Sequence, residues 1–293
     1  MRRGLARVKA VGLVLCVMAS FAGKAWASTI VWGNNATFGN VTLEAFNMDT
    51  GALVDQFIVQ NLEAVGDNGR GIAVVGTTIY YSVASSGNVF VTDSVTHADL
   101  GVAFNTGLGG IANLAWDGTN LWVTAYDGSA NAHLYLPDGT FVKDVIGFGG
   151  NRDGFEVTET NLIANRGDAQ GPYDLYDLDG NLVQAAFISP NFSPTGITFD
   201  GTFYYVSNIF GNEIHKYDSS GNFVSFVTLG GPLPQTCCGR LLEDLSSLGN
   251  IAENPPSPPP GNGGVVPEPS SLMLMGSGLL GFFVRRKKRA RAI

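Results

Sequence analysis

The segment at residues 113–123, NLAWDGTNLWV, places two short apolar runs on either side of an Asp-Gly turn. This pattern is typical of a β-hairpin, because glycine accepts the positive φ that a tight turn requires. Three further segments align with it without gaps, and the four starts, at residues 71, 113, 154 and 196, are 42, 41 and 42 residues apart. The chain is therefore built on a repeat.

A second series of turns follows the first, and its glycines are Gly51, Gly101, Gly139, Gly180 and Gly221. Two hairpins in each period make a four-stranded antiparallel unit, which is the size of one β-propeller blade. We predict an all-β propeller of about five blades. A sixth partial blade that uses residues 249–254, and a two-sheet β-sandwich, are the structural alternatives.

The two ends of the repeat region complement each other. Only four inner hairpins precede residue 207, and the region begins at residues 29–32 with what reads as a second strand. We predict that residues 241–245, LLEDL, supply the missing first strand of that blade. The ring would then be closed by its own two ends, which removes an exposed sheet edge.

Composition supports a folded β protein. The 293 residues are 45% hydrophobic and 14% charged, which is enough apolar material for a core and excludes disorder throughout. Glycine is abundant, with 39 residues, whereas there are only 3 cysteines. These numbers argue against a helical bundle and against a small disulfide-stapled domain.

Residues 1–27 read as a secretory signal peptide. Basic residues come first, an apolar run of 13 residues follows, and small residues precede the expected cleavage site between Ala27 and Ser28, with Ala25 at the other small position. The apolar run is shorter than the ~20 residues that span a bilayer, so a membrane anchor is the weaker interpretation. The folded body is expected at residues 28–252.

The C-terminal region has three parts. Residues 253–265 are rich in Pro, Gly and Asn and predict a solvated linker. Residues 266–293 contain the motif Val266, Pro267, Glu268 and Pro269, then an apolar stretch at residues 272–284 that predicts a transmembrane sorting helix. Six basic residues then form a stop-transfer cluster that favours the cytoplasmic side: Arg285, Arg286, Lys287, Lys288, Arg289 and Arg291.

This order of motif, apolar stretch and basic end resembles the PEP-CTERM sorting signal of Gram-negative bacteria. The resemblance implies that an exosortase, a cysteine-dependent transpeptidase-like protease of the membrane, removes the tail of an exported precursor. It also implies the Sec export machinery as a partner, a transient stay in the inner membrane, and delivery to the outer envelope or the exterior. Pro267, Glu268 and Pro269 would then be a substrate motif and not catalytic residues.

Removal of the signal peptide and of the sorting tail would make the formal net charge of the protein more negative. The signal carries five basic residues and the tail from Glu268 carries six with one acid, so the body keeps 6 basic and 24 acidic residues, a formal charge near −18. Such a surface repels nucleic acid and anionic lipid and disfavours both as partners. We interpret it as the solvated surface of an exterior protein, with an acidic partner-binding role as the alternative.

The repeat is similar, in period and turn chemistry, to NHL-type, gluconolactonase-like and streptogramin-lyase propellers. No catalytic residue is carried over, because fold does not imply function. We expect a non-enzymatic envelope or matrix protein that acts as a binding or structural module, with exopolysaccharide or another envelope component as a candidate partner. The rival is a hydrolase or lyase in which Asp153, Glu156 or Glu243 line the channel and hold a divalent metal.

Several other residues are weighed and assigned no catalytic, cofactor or metal role. Asp174, Asp177 and Asp179 do not follow the EF-hand order, and we interpret them as hairpin residues. Weak calcium binding elsewhere on the acidic surface is compatible with the sequence. Cys237 and Cys238 could form a local disulfide, remain free or pair between molecules. Two sets are expected to pack without binding a ligand: His97, His133 and His215, and Trp32, Trp116 and Trp122.

The connections between blades are expected to gather at one end of the channel, together with loops inside the blades. These connections are residues 63–70, 147–154 and 189–196. Loops held by a rigid scaffold are where binding residues concentrate.

Overall fold

The repeat folds into five four-stranded antiparallel sheets. The computed structural model describes residues 28–36, 41–126, 131–146, 153–165, 171–233 and 240–247. The prediction of an all-β propeller with five blades is confirmed. The signal peptide, Cys237 and Cys238, the strand considered at residues 249–254, the linker and the sorting segment lie outside the described residues.

Each blade is a meander in which consecutive strands pair, except at the closing seam. The first blade contains β1 (Ile30–Asn35), β2 (Thr42–Asn47), β3 (Leu53–Ile58) and the last strand, β20 (Leu242–Ser247). The second contains β4 (Gly69–Val75), β5 (Thr78–Val83), β6 (Asn88–Asp93) and β7 (Asp99–Asn105). The third contains β8 (Ile111–Trp116), β9 (Leu121–Ala125), β10 (Asn131–Tyr135) and β11 (Phe141–Ile146). The fourth contains β12 (Phe155–Val157), β13 (Asn161–Asn165), β14 (Tyr173–Asp177) and β15 (Leu182–Ile188). The fifth contains β16 (Pro194–Phe199), β17 (Tyr204–Asn208), β18 (Glu213–Tyr217) and β19 (Phe223–Thr228).

The ring closes as predicted. β20 pairs antiparallel with β1, with Asn34 opposite Asp244 and Val31 opposite Ser247. The sheet order β20-β1-β2-β3 makes β20 the inner strand of the first blade. The two chain segments furthest apart in the body therefore share one sheet.

Apolar side chains fill the spaces between neighbouring blades. Trp32 of the first blade packs in one cluster with Tyr81 of the second, and Trp122 of the third blade packs with Phe155 of the fourth. Trp116 is buried as well, so the expectation that the three tryptophans belong to the core is confirmed. Each blade uses its neighbour to cover its own face, as a radial repeat requires.

Aspartates close the hairpins by accepting backbone hydrogen bonds. Asp177 Oδ1 accepts from the amides of Asp179 and Asn181 at 3.0 and 2.9 Å, and Gly180 has φ of 87°. The side chain of Asn181 and these amides lower the pKa of Asp177. Asp174 lies apart in β14 and accepts from the amide of Ala186 at 2.7 Å. Asp177 and Asp179 are thus turn residues, as the repeat predicted.

A buried polar residue occupies the same place on the second strand of every blade. The five are Asn34, Ser82, Thr124, Asn165 and Ser207. Asn34 donates across the blade boundary to the carbonyl of Gly71 at 3.0 Å, and Ser207 donates across another boundary to the carbonyl of Leu242 at 2.9 Å. These bonds join the second strand of one blade to the inner strand of the next.

The segment before β20 is fixed by a fully buried ion pair. Arg240 Nε lies 2.8 Å from Glu44 Oε1, and both side chains have no exposed surface. The other Glu44 oxygen accepts from Asn35 at 3.0 Å. The Arg240 guanidinium also donates to Asn212 Oδ1 at 2.9 Å and to the Pro232 carbonyl at 3.0 Å. Both charges therefore have several partners, which is the condition for burying them.

Candidate functional site

A cavity of about 330 Å³ opens at one end of the propeller channel. In an antiparallel meander, the connection into each inner strand and the turn between second and third strands lie at the same end. The lining residues come from these places and from β20: Arg70, Tyr126, Asp153, Ser193, Thr195, Ile209, Phe210 and Glu243. All three blade connections singled out in the sequence contribute, as expected.

An ion pair in the cavity wall joins the second blade to the closing strand of the first. Arg70 Nη1 of β4 lies 2.7 Å from Glu243 Oε1 of β20, and the two side chains retain 19% and 12% of their exposure. Among the described residues, Arg70 Nε is buried and has no hydrogen-bond partner. The pair is thus less completely satisfied than the Arg240 pair and keeps contact with solvent.

The environment of Glu243 shifts its protonation. Burial raises the pKa of Glu243 to about 7, against the opposing attraction of Arg70 and with a further contribution from the negative charge of Asp153. The carboxyl group therefore titrates near neutral pH. A carboxyl with this behaviour in a cavity marks a candidate functional site.

Tyr126 and Asp153 form the adjoining part of the wall. The Tyr126 hydroxyl donates to Asp153 Oδ1 at 2.9 Å, and the Arg70 guanidinium lies 5.1 Å from the centre of the Tyr126 ring. Burial raises the pKa of Tyr126, so its hydroxyl remains a donor at neutral pH. Arg70, Glu243, Tyr126 and Asp153 make one continuous polar surface.

Close backbone packing positions Asp153. A Cβ atom at Gly154 would overlap the carbonyl oxygen of Thr195, so glycine allows the start of the fourth blade to approach the fifth. The amide of Asp153 donates to Asn165 Oδ1 at 3.0 Å, and Asn165 belongs to the buried polar set described above. The side chain of Asp153 is therefore aimed by the scaffold.

The remaining wall is mostly apolar. Ile209 and Phe210 follow β17, and the Phe210 side chain is 78% exposed. The hydroxyl of Thr195 is already bonded to Ser207 and to the carbonyl of Leu242, both at 2.8 Å. An exposed aromatic ring beside a polar surface is a common composition for a small-ligand site.

Two of the three predicted channel carboxylates belong to this cavity. Asp153 and Glu243 line the cavity, but Glu156 does not. It is buried in β12 and accepts from the amides of Val157 at 2.8 Å and Phe199 at 3.0 Å. Its carboxylate therefore joins the fourth and fifth blades below the cavity.

Arg70, Tyr126, Ile209 and Phe210 were not predicted as site residues. A signal for Arg70 was present, since basic residues are scarce in the body and each one faces a large excess of acid. Tyr126 follows the β9 strand directly, and the repeat alignment stops before it. The closing strand was predicted, but the contact of its Glu243 with Arg70 joins distant parts of the chain and has no local sequence signal.

The histidines lie elsewhere and contact carboxylates. His97 Nε2 is 2.9 Å from Asp55, His133 Nδ1 is 2.6 Å from Asp144, and the nearest acid to His215 is Glu213. Within the described part of the chain, no three His, Cys, Asp or Glu side chains are grouped so as to hold a metal ion.

Comparison with known proteins adds one match on the sequence itself. The PEP-CTERM protein-sorting motif matches residues 265–288. The chain carries a PEP-CTERM sorting motif. This confirms the resemblance drawn from Val266, Pro267, Glu268 and Pro269, and it makes the chain an exported substrate of exosortase. The described residues include no helix of the length and hydropathy that a membrane span needs.

Solved structures resemble the propeller that precedes the PEP-CTERM motif. A chain in the crystal structure of a nidogen/laminin complex aligns with a TM-score of 0.52 and 13% identity, over 76% of this chain and 98% of that chain. Glutaminyl cyclase of Myxococcus xanthus aligns with a TM-score of 0.48 and 14% identity, over 55% and 70%. The first likeness concerns the fold alone. No curated protein matches the sequence.

Proposed function

We propose that this PEP-CTERM protein is a ligand-binding module of the outer envelope or extracellular matrix, and that it binds through the channel-end cavity. The observation that carries the proposal is the continuous polar surface of Arg70, Glu243, Tyr126 and Asp153 beside exposed Phe210. The cavity volume of about 330 Å³ falls at the lower end of the range for small-ligand sites.

Sorting and binding fit together in this proposal. The PEP-CTERM motif implies processing by exosortase and passage through the membrane. A module released there needs no energy source or cofactor to act as a binder. The acidic body stays soluble and does not adhere to anionic lipid, so specific binding must come from a shaped site.

A second candidate, a hydrolase or lyase, is favoured by one observation. Asp153 and Glu243 share the cavity, and the pKa of Glu243 is raised to about 7. A carboxyl group whose pKa lies near neutral pH can serve as a general acid or base. The Arg70 contact at 2.7 Å counts against Glu243 as a proton donor, because it favours the charged carboxylate.

A melting-temperature screen tests the binding function. The exported, processed protein is heated with sugars, polyols, amines, organic acids and, separately, calcium, magnesium or zinc. We expect an organic compound to raise the melting temperature of the wild-type protein, with a smaller shift for Phe210→Ala. Val95→Ala is the matched control, because Val95 is 72% exposed in a turn at the other end of the blade.

The same screen separates the two candidates. A compound whose effect is equal in the Phe210→Ala variant would contradict binding in the cavity. A large shift with one divalent metal, lost in Asp153→Asn, would favour the hydrolase or lyase instead. Turnover of a bound compound, followed by product analysis, would decide for the enzyme directly.

The sorting step has its own test. Replacing Pro267, Glu268 and Pro269 by alanine should leave an uncleaved precursor in the membrane fraction. Replacing the three linker prolines at residues 258–260 is the control and should leave processing unchanged. Normal release of the first variant would contradict the role of the PEP-CTERM motif.

A further inference from the structure

We propose that the ligand of the channel-end cavity is an uncharged sugar residue of a polysaccharide. This inference rests on the proposed binding function and narrows it to one chemical class. It follows from three properties of the lining residues: the mixture of donors and acceptors, the absence of an available positive charge among the described residues, and an exposed ring at the rim.

The polar surface offers donors and acceptors side by side. The Arg70 side chain keeps 19% of its surface exposed and carries donors, Tyr126 carries a hydroxyl, and Glu243 and Asp153 are acceptors. Hydroxyl groups can both donate and accept, so neighbouring hydroxyls on one ring can bond to a guanidinium and a carboxylate together. A ligand that only donates or only accepts would leave part of this surface unpaired, which is costly once water is excluded.

Charge disfavours an anionic ligand. The guanidinium of Arg70 is already paired with Glu243 at 2.7 Å. Asp153 bonds to the Tyr126 hydroxyl, and within the described ranges no cation pairs with its carboxylate. A phosphate, uronate or other acid would therefore meet an unneutralised negative charge, on a body that is itself strongly acidic.

A cationic ligand and an apolar ligand fit less well. The Asp153 carboxylate would attract an ammonium group, but one that reached Glu243 would lie beside the Arg70 guanidinium and be repelled by it. A purely apolar molecule would strip water from an ion pair that still has 19% and 12% of its surface exposed, without replacing the lost hydrogen bonds.

The rim supplies the apolar half of the site. Phe210 is 78% exposed and lies next to Ile209, whereas the face of Tyr126 is already occupied by Arg70. One face of a pyranose ring is composed of C–H groups and can cover an aromatic ring, while its hydroxyls point to the polar wall. Phe210 is thus the contact whose removal weakens sugar binding without disturbing the Arg70 pair.

Titration with a matched set of methyl glycosides tests the class. Each sugar is used in three forms that share one ring: neutral hexoside, hexuronide and 2-amino-2-deoxyhexoside, for the gluco, galacto and manno series. Binding is measured by saturation-transfer NMR and calorimetry on the exported, processed protein. We expect one neutral glycoside to bind with a Kd on the order of 1 mM and its uronide at least about tenfold more weakly.

Two variants assign that binding to the cavity. Phe210→Ala should weaken the neutral glycoside about tenfold, whereas Val95→Ala should leave it unchanged. Asp153→Asn removes the negative charge of Asp153. The ratio of the Kd of the uronide to that of the neutral glycoside should therefore fall about fivefold.

The outcomes separate this inference from the binding function. The uronide or the amino sugar could bind more tightly than the neutral glycoside and lose affinity in Phe210→Ala. The inference of an uncharged sugar would then be wrong, and the cavity would remain a binding site. If no neutral glycoside binds but another compound of the melting screen does, the inference fails alone. If no compound of either set binds, both proposals fail.

Discussion

Two arginine–glutamate pairs tie the closing segment to the ring, and they differ in how fully they are satisfied. Arg240 and Glu44 have no exposed surface, and their remaining polar atoms bond to side chains and carbonyls of three other segments. Arg70 and Glu243 keep part of their surface exposed, and Arg70 Nε has no partner. The first pair is closed to solvent, whereas the second remains accessible from the cavity.

The difference separates a structural use of charge from a functional one. In a buried pair with all its hydrogen bonds made, removing one partner is strongly destabilising, because it leaves the other charge buried and uncompensated. A pair at the wall of a cavity can exchange water for a ligand without breaking. Variants at each pair should therefore have effects of different size and different pH dependence.

The largest effect is expected for Arg240→Met. It leaves the Glu44 carboxylate buried without its cation, so the free energy of unfolding should fall by about 3 to 5 kcal/mol. Equilibrium denaturation measures the loss. The double variant Glu44→Gln with Arg240→Met should recover part of it, because no uncompensated charge remains. A loss under about 1 kcal/mol in the single variant would remove the structural role assigned to this pair.

A smaller, pH-dependent effect is expected for Glu243→Gln. The folded protein holds the Glu243 proton more tightly than the unfolded chain does, since burial raises the pKa from 4.5 to about 7. The contribution of this group to stability is thus present below pH 4.5 and is lost as the pH rises to about 7. Over this range the wild type should lose about 1 to 3 kcal/mol relative to the variant. Parallel stability curves would contradict the raised pKa.

Arg70→Met should cost less than Arg240→Met, and its cost should depend on pH. Removing Arg70 takes away the attraction that lowers the pKa of Glu243, so that pKa should rise further. At pH 5 the carboxyl can stay protonated and the loss should be under about 1 kcal/mol. At pH 8 it should approach about 2 kcal/mol. Equal, pH-independent losses in the free energy of unfolding of the two arginine variants would contradict the proposed difference between the two ion pairs.

The smallest effect on stability is expected for Phe210→Ala. The ring is 78% exposed, so its removal should change the free energy of unfolding by less than about 0.5 kcal/mol. Thermal denaturation beside Val95→Ala provides the check. A much larger loss would show that Phe210 packs in the fold, and its use as a binding probe would then be unsound.

Most of the fold could be predicted from the sequence, because its determinants are local and repeated. Most hairpins have a turn glycine, an Asp or Asn, or both, and the repeat spacing of about 42 residues gives the blade. The closing strand could also be predicted, since the first blade lacked one strand and residues 241–245 read as a strand. The shared polar position is also local: Ser82, Thr124 and Ser207 directly follow the aligned segments.

The site could be predicted only in outline. Blade topology placed the three connections at one end, and Asp153 and Glu243 were named among the candidate carboxylates. The burial of Glu156 could not be predicted, because it depends on how closely the fourth and fifth blades approach. The partners of Arg70 and Arg240 depend on contacts between the closing segment and distant blades, which no local pattern encodes.

The closing strand has a consequence for the order of events in the cell. β1 and β20 are neighbours in one sheet, yet more than two hundred positions separate Ile30 from Leu242 in the sequence. At translation rates of about 5 to 20 residues per second, β20 leaves the ribosome about 10 to 40 s after β1. Until β20 reaches the compartment in which the body folds, the first blade has an open edge and the Arg70–Glu243 pair cannot form. A nascent chain stalled before residue 242 should therefore be captured by a chaperone that recognises unpaired strands, and it should be released once β20 is available.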